Sequence, residues 1–175
     1  MNVMHPVSAG IDPAFFRRVM GRFASGVTVI VADAGGDVRG MTANAFMSGS
    51  LEPPLCIVSV AKRAHMHGHL IAAGRFTVNI LAAGQEDLAS HFAGRPVPGL
   101  NVSFTTVGGI PAIGGTTAHI AAEVEAAHDC GDHTIFVGRI TAMAADDRPP
   151  LLYHASRFAA LVPLREESPA IPEFW

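Results

Sequence analysis

Apolar positions Phe15, Phe16, Val19, Met20 and Phe23 recur at helical spacing behind Asp12-Pro13. Asp is a good N-cap and Pro suits the first helical position, so the pattern predicts a helix that starts there and that Gly26 ends. The β-branched run Val27 to Val31, followed by the turn Ala34-Gly35-Gly36-Asp37, predicts a hairpin over Val27 to Met41. Leu55 to Val60 and Phe76 to Leu81 read as strands, separated by a short helix, His65 to Ala73, that Gly74 closes. Gln85 to Phe92 reads as another short helix. Gly94 to Thr117 is rich in Gly, Pro and Thr and reads as a long loop with one strand near Val102 to Val107; its pairs Gly108-Gly109 and Gly114-Gly115 read as flexible loop. Ala121 to His128 alternates and Thr134 to Met143 is β-rich, with Cys130-Gly131-Asp132 as the turn between them. Leu151 to His154 and Phe158 to Leu161 are short strands, and Ser168 to Trp175, with its two prolines, is a tail.

Many short strands and few helices, not alternating as βαβ units, favour a small antiparallel barrel over a doubly wound parallel sheet. The expected fold class is mainly β. One domain is expected over residues 1–175, with a core at about 12–163 and a C-terminal tail at 164–175.

Composition changes the picture in one respect. Hydrophobic residues make up 49% of the chain and charged residues 15%, below the ~25% typical of soluble domains. So apolar a surface suggests burial against a second subunit. The net charge of −3 and sparse Lys and Arg argue against a nucleic-acid partner. The uncharged stretch Val97 to Ala122 is broken by Gly and Pro, so no membrane span is expected. The N-terminal residues lack the basic start and apolar run of an export signal. Cys56 sits in an apolar run and reads as a core residue, and no disulfide with Cys130 is expected, so the cytoplasm is the expected location.

Several chemistries lack their motifs. No G-x-G-x-x-G opens a helix after a strand, and neither a phosphate loop nor a G-x-S-x-G elbow is present. The richest segment is GMTANAFMSGSLEPPL, Gly40 to Leu55, where small and hydroxyl residues lie between two strands. As a loop it would offer backbone N–H groups and hydroxyls to the polar edge of a flat heteroaromatic ring, donors that stabilise developing negative charge. Pro53-Pro54 would fix an extended exit. A tight Ser-rich turn is the plain alternative. A second cluster is His128, Asp129, Cys130, Asp132 and His133, but it lacks the Cys/His spacing of a structural zinc site, and no metal site is assigned. His65, His67 and His69 have period two; on a helix they spread around the axis.

The same segment resembles the G-M-T-A-N-S-F-T-S-V-S-L-D-P-P-L pattern of split-barrel flavin reductases, which supply reduced flavin to two-component monooxygenases. Other blocks agree in order: FRRVMGRFASGVTVIV (Phe16 to Val31), GRFTVNIL (Gly74 to Leu81), LASHFAGR (Leu88 to Arg95), GDHTIFVG (Gly131 to Gly138) and PLLY (Pro150 to Tyr153). The resemblance spans roughly Phe15 to Leu161 and implies a Greek-key split β-barrel. It further implies a homodimer, non-covalent FMN or FAD, NADH or NADPH as hydride donor, and a flavin-dependent monooxygenase as partner.

Carried over, Gly40, Met41, Thr42, Ala43, Asn44, Ala45 and Phe46 would meet the isoalloxazine, largely through backbone groups. Ser48 and Ser50 would lie at its polar edge or ribityl chain. Ser59, Ala61, Lys62, Arg63, His65 and Met66 would hold the phosphate, Phe92 and Tyr153 would border the ring, and His133 would face the nicotinamide. Two departures stand out. Ala64 and Met66 replace the family's hydroxyl residues, which points to looser flavin binding or another flavin preference. Ala155 and Ser156 replace a late Arg and Gly, which weakens the nicotinamide side and keeps open a non-catalytic flavin-binding or electron-transfer protein, or a heme or pyridoxal binder on the same barrel. No basic site for a 2′-phosphate stands out in the sequence.

Overall fold

The computed structural model describes residues 10–162. Along the chain run α1 (Pro13–Met20), β1 (Ser25–Gly26), β2 (Thr28–Ala34), β3 (Asp37–Ala43), β4 (Phe46–Ser50), β5 (Leu55–Ala61), α2 (His65–Ala73) and β6 (Arg75–Ile80). They are followed by α3 (Glu86–Phe92), β7 (Phe104–Val107), β8 (Ile110–Ile113), β9 (Ala118–Cys130), β10 (His133–Ala145), β11 (Leu151–His154) and β12 (Arg157–Ala160).

Seven strands form one antiparallel sheet in the order β3-β2-β6-β9-β10-β5-β4. Its edges are β3 and β4, yet only Asn44 and Ala45 separate them. Laid flat, those edges would stand about 29 Å apart at ~4.8 Å per strand. The three peptide steps from Ala43 to Phe46 reach at most about 11 Å. The sheet must therefore roll up, and the link is its closure: Ser59 N–H donates to the Ala45 carbonyl at 3.1 Å. Residue pairs followed from Ala43 through Thr28, Ile80 and Ala118 arrive at Ala145 of β10. From Ala45 the other way they arrive at Ile135 of the same strand. That stagger is what barrel closure demands, and it leaves the tip of the β9–β10 hairpin projecting past the link. A smaller sheet, β1-β11-β12, completes the split barrel.

The alternation of β2 divides the core. Ile30 and Ala32 point into the barrel with Val58, Phe76 and Phe136, and Met66 and Leu70 of α2 plug that interior. Val29 and Val31 point outward into a second cluster with Leu81, Ala89, Ile113 and Leu151. Burial on both faces explains the unbroken apolar run there. Full burial of such a side chain contributes about 1.5–3 kcal/mol.

Several sequence expectations are met: α2 occupies its expected span with Gly74 left-handed at φ 66°, and Gly35 and Gly36 take positive φ in the β2–β3 turn. Three are corrected. The Gly40–Pro54 segment is not a loop but the end of β3, the link, β4 and a turn, and the Glu52–Pro53 bond is cis. Residues 104–113 form a hairpin, so Gly108-Gly109 is its tight turn, with both residues at positive φ, and not a flexible loop. Finally, α1 stops at Met20 with no side chain buried: Phe16, Val19 and Met20 are about half exposed and Phe23 is 80% exposed. The expected tail at 164–175 lies outside the described residues.

Candidate functional site

Where β3 ends, a cavity of about 500 Å³ opens. Thr42, Ala43 and Asn44 form one wall, and α3 supplies Ala89 and Ser90, with Ala93 and Arg95 just beyond it. The β11–β12 hairpin supplies Tyr153, Ser156, Arg157 and Phe158. The walls are tied together. Thr42 Oγ1 donates to the Ala89 carbonyl at 2.7 Å, fixing α3 on β3, and Thr28 Oγ1 donates to the Ala43 carbonyl at 2.7 Å. Gly40 makes the packing of α3 possible, because a Cβ there would lie 2.6 Å from Cδ1 and Cε1 of Phe92. Tyr153 and Phe158 meet edge-on, ring centroids 5.7 Å apart. Opposite Tyr153 on β1, Ser25 Oγ is buried without a hydrogen-bond partner among the described residues.

The other expected residues gather at the barrel end. His133 opens β10 opposite Ala61, with Nδ1 2.7 Å from Asp132 Oδ1 and its side chain 42% exposed. That hydrogen bond, with the charges of His133 and Arg63, holds the Asp132 carboxyl below its usual range. Lys62 N–H donates to the Asp132 carbonyl at 2.9 Å, and its Nζ lies 3.1 Å from Asp129 Oδ1. The β5 alternation turns Ser59 and Ala61 outward with His133, and Arg63 and His65 are exposed just past them. His67, by contrast, anchors α2: Nε2 is 2.8 Å from Thr134 Oγ1 and the ring packs edge-on against Phe136.

The structure thus brings Thr42, Ala43, Asn44 and Tyr153 into one cavity and sets Ser59, Ala61, Lys62, Arg63, His65 and His133 apart, with Ala45 between the groups. Ser48 and Ser50 lie on β4, half-buried. Met66 is a correction: at 4% exposure it belongs to the barrel core, and only its backbone is available to a phosphate. Met41 and Phe46 also pack against that core. Phe92 supports the cavity wall from the outer cluster and does not line it. Arg95, Ser90, Arg157 and Phe158 were missed. Arg95 belongs to the LASHFAGR block and was legible there, whereas Arg157 is placed only by the hairpin.

The family description for the flavin reductase like domain matches residues 20–161. The chain belongs to the flavin reductase like family. It is 40% identical over 162 residues to the NADH-dependent flavin reductase of a Rhodococcus species, covering 91% of this chain and 92% of that one. It is 42% identical over 148 residues to the reductase component of 4-hydroxyphenylacetate 3-monooxygenase from Thermus thermophilus, covering 84% and 95%. Among solved structures, the NADH:FAD oxidoreductase SgcE6 of Streptomyces globisporus C-1027, in complex with NAD and FAD fragments, superposes with a TM-score of 0.82 at 39% identity, covering 89% of this chain and 96% of that one.

The residues of this flavin reductase domain fit a flavin. The cavity volume lies within the ~300–1,000 Å³ of small-molecule sites. Its walls combine small and hydroxyl residues, two aromatic rings, and two guanidiniums, Arg95 and Arg157, that have no ion-pair partner among the described residues. The hydroxyl of Ser25, without a partner among the described residues, adds a hydrogen-bonding group beside Tyr153.

Proposed function

We propose that this chain is an NAD(P)H:flavin oxidoreductase that reduces FMN or FAD and passes the reduced flavin to a flavin-dependent monooxygenase. The carrying observation is the cavity that joins Thr42, Ala43 and Asn44 to Tyr153, Phe158, Arg95 and Arg157. Bound there, a flavin would supply the hydride acceptor for the reduced nicotinamide. The protein's part is positional. Backbone N–H groups of Thr42 to Asn44 hold the ring edge where negative charge develops. Tyr153 and Phe158 border the ring and exclude water. Arg95 and Arg157 supply positive charge. His133, braced by Asp132, orients the nicotinamide or its ribose, and Lys62, Arg63 and His65 attract a phosphate at the barrel end.

A non-catalytic flavin carrier is favoured by the basic residue missing at Ala155. Arg157 answers that point, because it lines the cavity two positions on.

The assembly is a homodimer in this reading. Met47, Ile57, Val137 and Ala126 are paired across β4, β5, β10 and β9 and face outward in one row, with Met47 60% exposed. An apolar row on the outside of a barrel calls for a covering surface. Both cysteines are free, Cys56 buried with its thiol pushed up to about 11 and Cys130 exposed, which suits the reducing cytoplasm. Among the described residues no helix is long and apolar enough to cross a membrane.

The test is NAD(P)H oxidation followed at the nicotinamide absorbance band, crossing NADH and NADPH with FMN, FAD and riboflavin. Flavin-dependent oxidation is expected, and its absence in every combination overturns the reading.

A further inference from the structure

Helix α1 has two opposed faces. Phe16, Val19 and Met20 make one, continued by Phe23 past the helix end; Arg17 and Arg18 lie on the other, continued by Arg22. The arginine face lines a recess of about 420 Å³ whose far wall is the Ala155–Ser156 turn of the β11–β12 hairpin. Ala14 and Gly21 on the same face leave space between the guanidiniums.

The turn is an unusual one. Ala155 and Ser156 take φ of 48° and 63°, a region L side chains rarely adopt. The Ala155 N–H, donating to the Gly21 carbonyl at 2.8 Å, pins it to the end of α1. Ser156 lines both this recess and the ring cavity, so the two spaces meet at one residue.

The three arginines have no ion-pair partner among the described residues, although Arg39, Arg139 and Arg148 do. Arg18 lies over the Phe15 ring at 5.0 Å. The carboxylate nearest in chain, Asp12, accepts from Ala14 N–H and Phe15 N–H as the helix cap. In a chain of net charge −3, five guanidiniums thus line two adjoining spaces. Such a surface selects an anion joined to a planar ring, and guanidinium forks match phosphate oxygens.

We propose that the α1 recess binds the diphosphate of a dinucleotide whose planar ring occupies the adjoining cavity. The inference rests on the flavin reductase reading and adds a site to it. The diphosphate belongs to FAD or to the nicotinamide dinucleotide, and the two are separable.

The experiment compares the full chain with Arg17→Gln/Arg22→Gln. Affinity for FAD and riboflavin is measured by fluorescence titration. KM is measured for NADH and for 1-benzyl-1,4-dihydronicotinamide, a hydride donor without phosphate. A loss of about tenfold is expected for FAD, for NADH, or for both, the typical effect of removing hydrogen bonds to a charged group. Riboflavin and the phosphate-free donor hold their values. A loss for FAD alone assigns the recess to the flavin, and one for NADH alone assigns it to the nicotinamide dinucleotide. No loss for either, or an equal loss for riboflavin, overturns the proposal. Arg17→Lys/Arg22→Lys recovers part of the affinity. Independently of any variant, added salt weakens FAD or NADH more than riboflavin or the phosphate-free donor; equal weakening speaks against the recess. Failure of the reductase reading is distinct, since the unsubstituted chain would then oxidise no NADH with any flavin.

Discussion

Gly40 and Phe92 share one space: the Phe92 ring lies where a side chain at residue 40 would begin, with two ring carbons 2.6 Å from an ideal Cβ. The contact sets how closely α3 approaches β3, and so the width of the cavity between Thr42 and Ser90. Gly40→Ala is expected to destabilise the fold by about 1–3 kcal/mol through overpacking and to weaken flavin binding. Adding Phe92→Leu restores part of both. Thermal unfolding and flavin titration check this, and unchanged values for Gly40→Ala would rule the contact out as a determinant.

His133 is half-exposed and its nearest polar partner is Asp132. Nothing in the core depends on it. His133→Ala therefore keeps flavin affinity and thermal stability while lowering turnover about ten- to a hundredfold, the scale of a misplaced reactant. Steady-state kinetics beside flavin titration separate the effects. A parallel loss of flavin affinity would move His133 from the nicotinamide side to the flavin side.

Acid sensitivity traces to His119. Its Nδ1–H donates to Asn79 Oδ1 at 3.1 Å, and burial lowers its pKa from 6.5. The folded state resists a proton that the unfolded state takes up near pH 6.5. The stabilising contribution is thus complete above that pH and is lost as pH falls toward the depressed folded value. Chemical denaturation at pH 7.5 and 5.5 is expected to show a drop that His119→Gln reduces. An identical drop in that variant would place the acid sensitivity elsewhere.

The outward row Met47–Ile57–Val137 bears on assembly. Met47→Glu/Val137→Glu introduces charge into it and is expected to give a folded monomer, judged by light scattering with circular dichroism. A variant that remains dimeric would shift the interface to another surface, the apolar face of α1 being next.

Local chemistry made much of this fold readable. The β2–β3 hairpin announces itself through β-branched residues and a Gly-Gly turn, and α2 ends at a glycine that adopts the left-handed conformation. The β7–β8 hairpin was hidden because side chains hold its second strand. Thr77 Oγ1 donates to the Pro111 carbonyl at 2.7 Å, and Ile113 N–H donates to Asn79 Oδ1 at 2.8 Å. Pro111 itself argues against a strand when read in sequence. Of the cavity lining, Thr42 to Asn44 stand in one contiguous motif and Tyr153 in a separate short block. Met66 was misplaced because the motif marks its position while its apolar side chain answers to the core. The arginine recess was invisible because Arg17, Arg18 and Arg22 meet the Ala155–Ser156 turn only after folding.

The Asn44–Ala45 link closes the barrel, and Asn44 also lines the cavity. Fastening and binding therefore share the same few residues, and this stretch has a fixed length. One added residue there would shift β4 against β5 by a register and turn every side chain of that strand to the opposite face. The hairpin tip at Gly131-Asp132 projects beyond the closure and carries no such restriction. Lineages of this fold can therefore vary the reach of the His133 end by insertion, whereas the ring-facing stretch can change only by substitution.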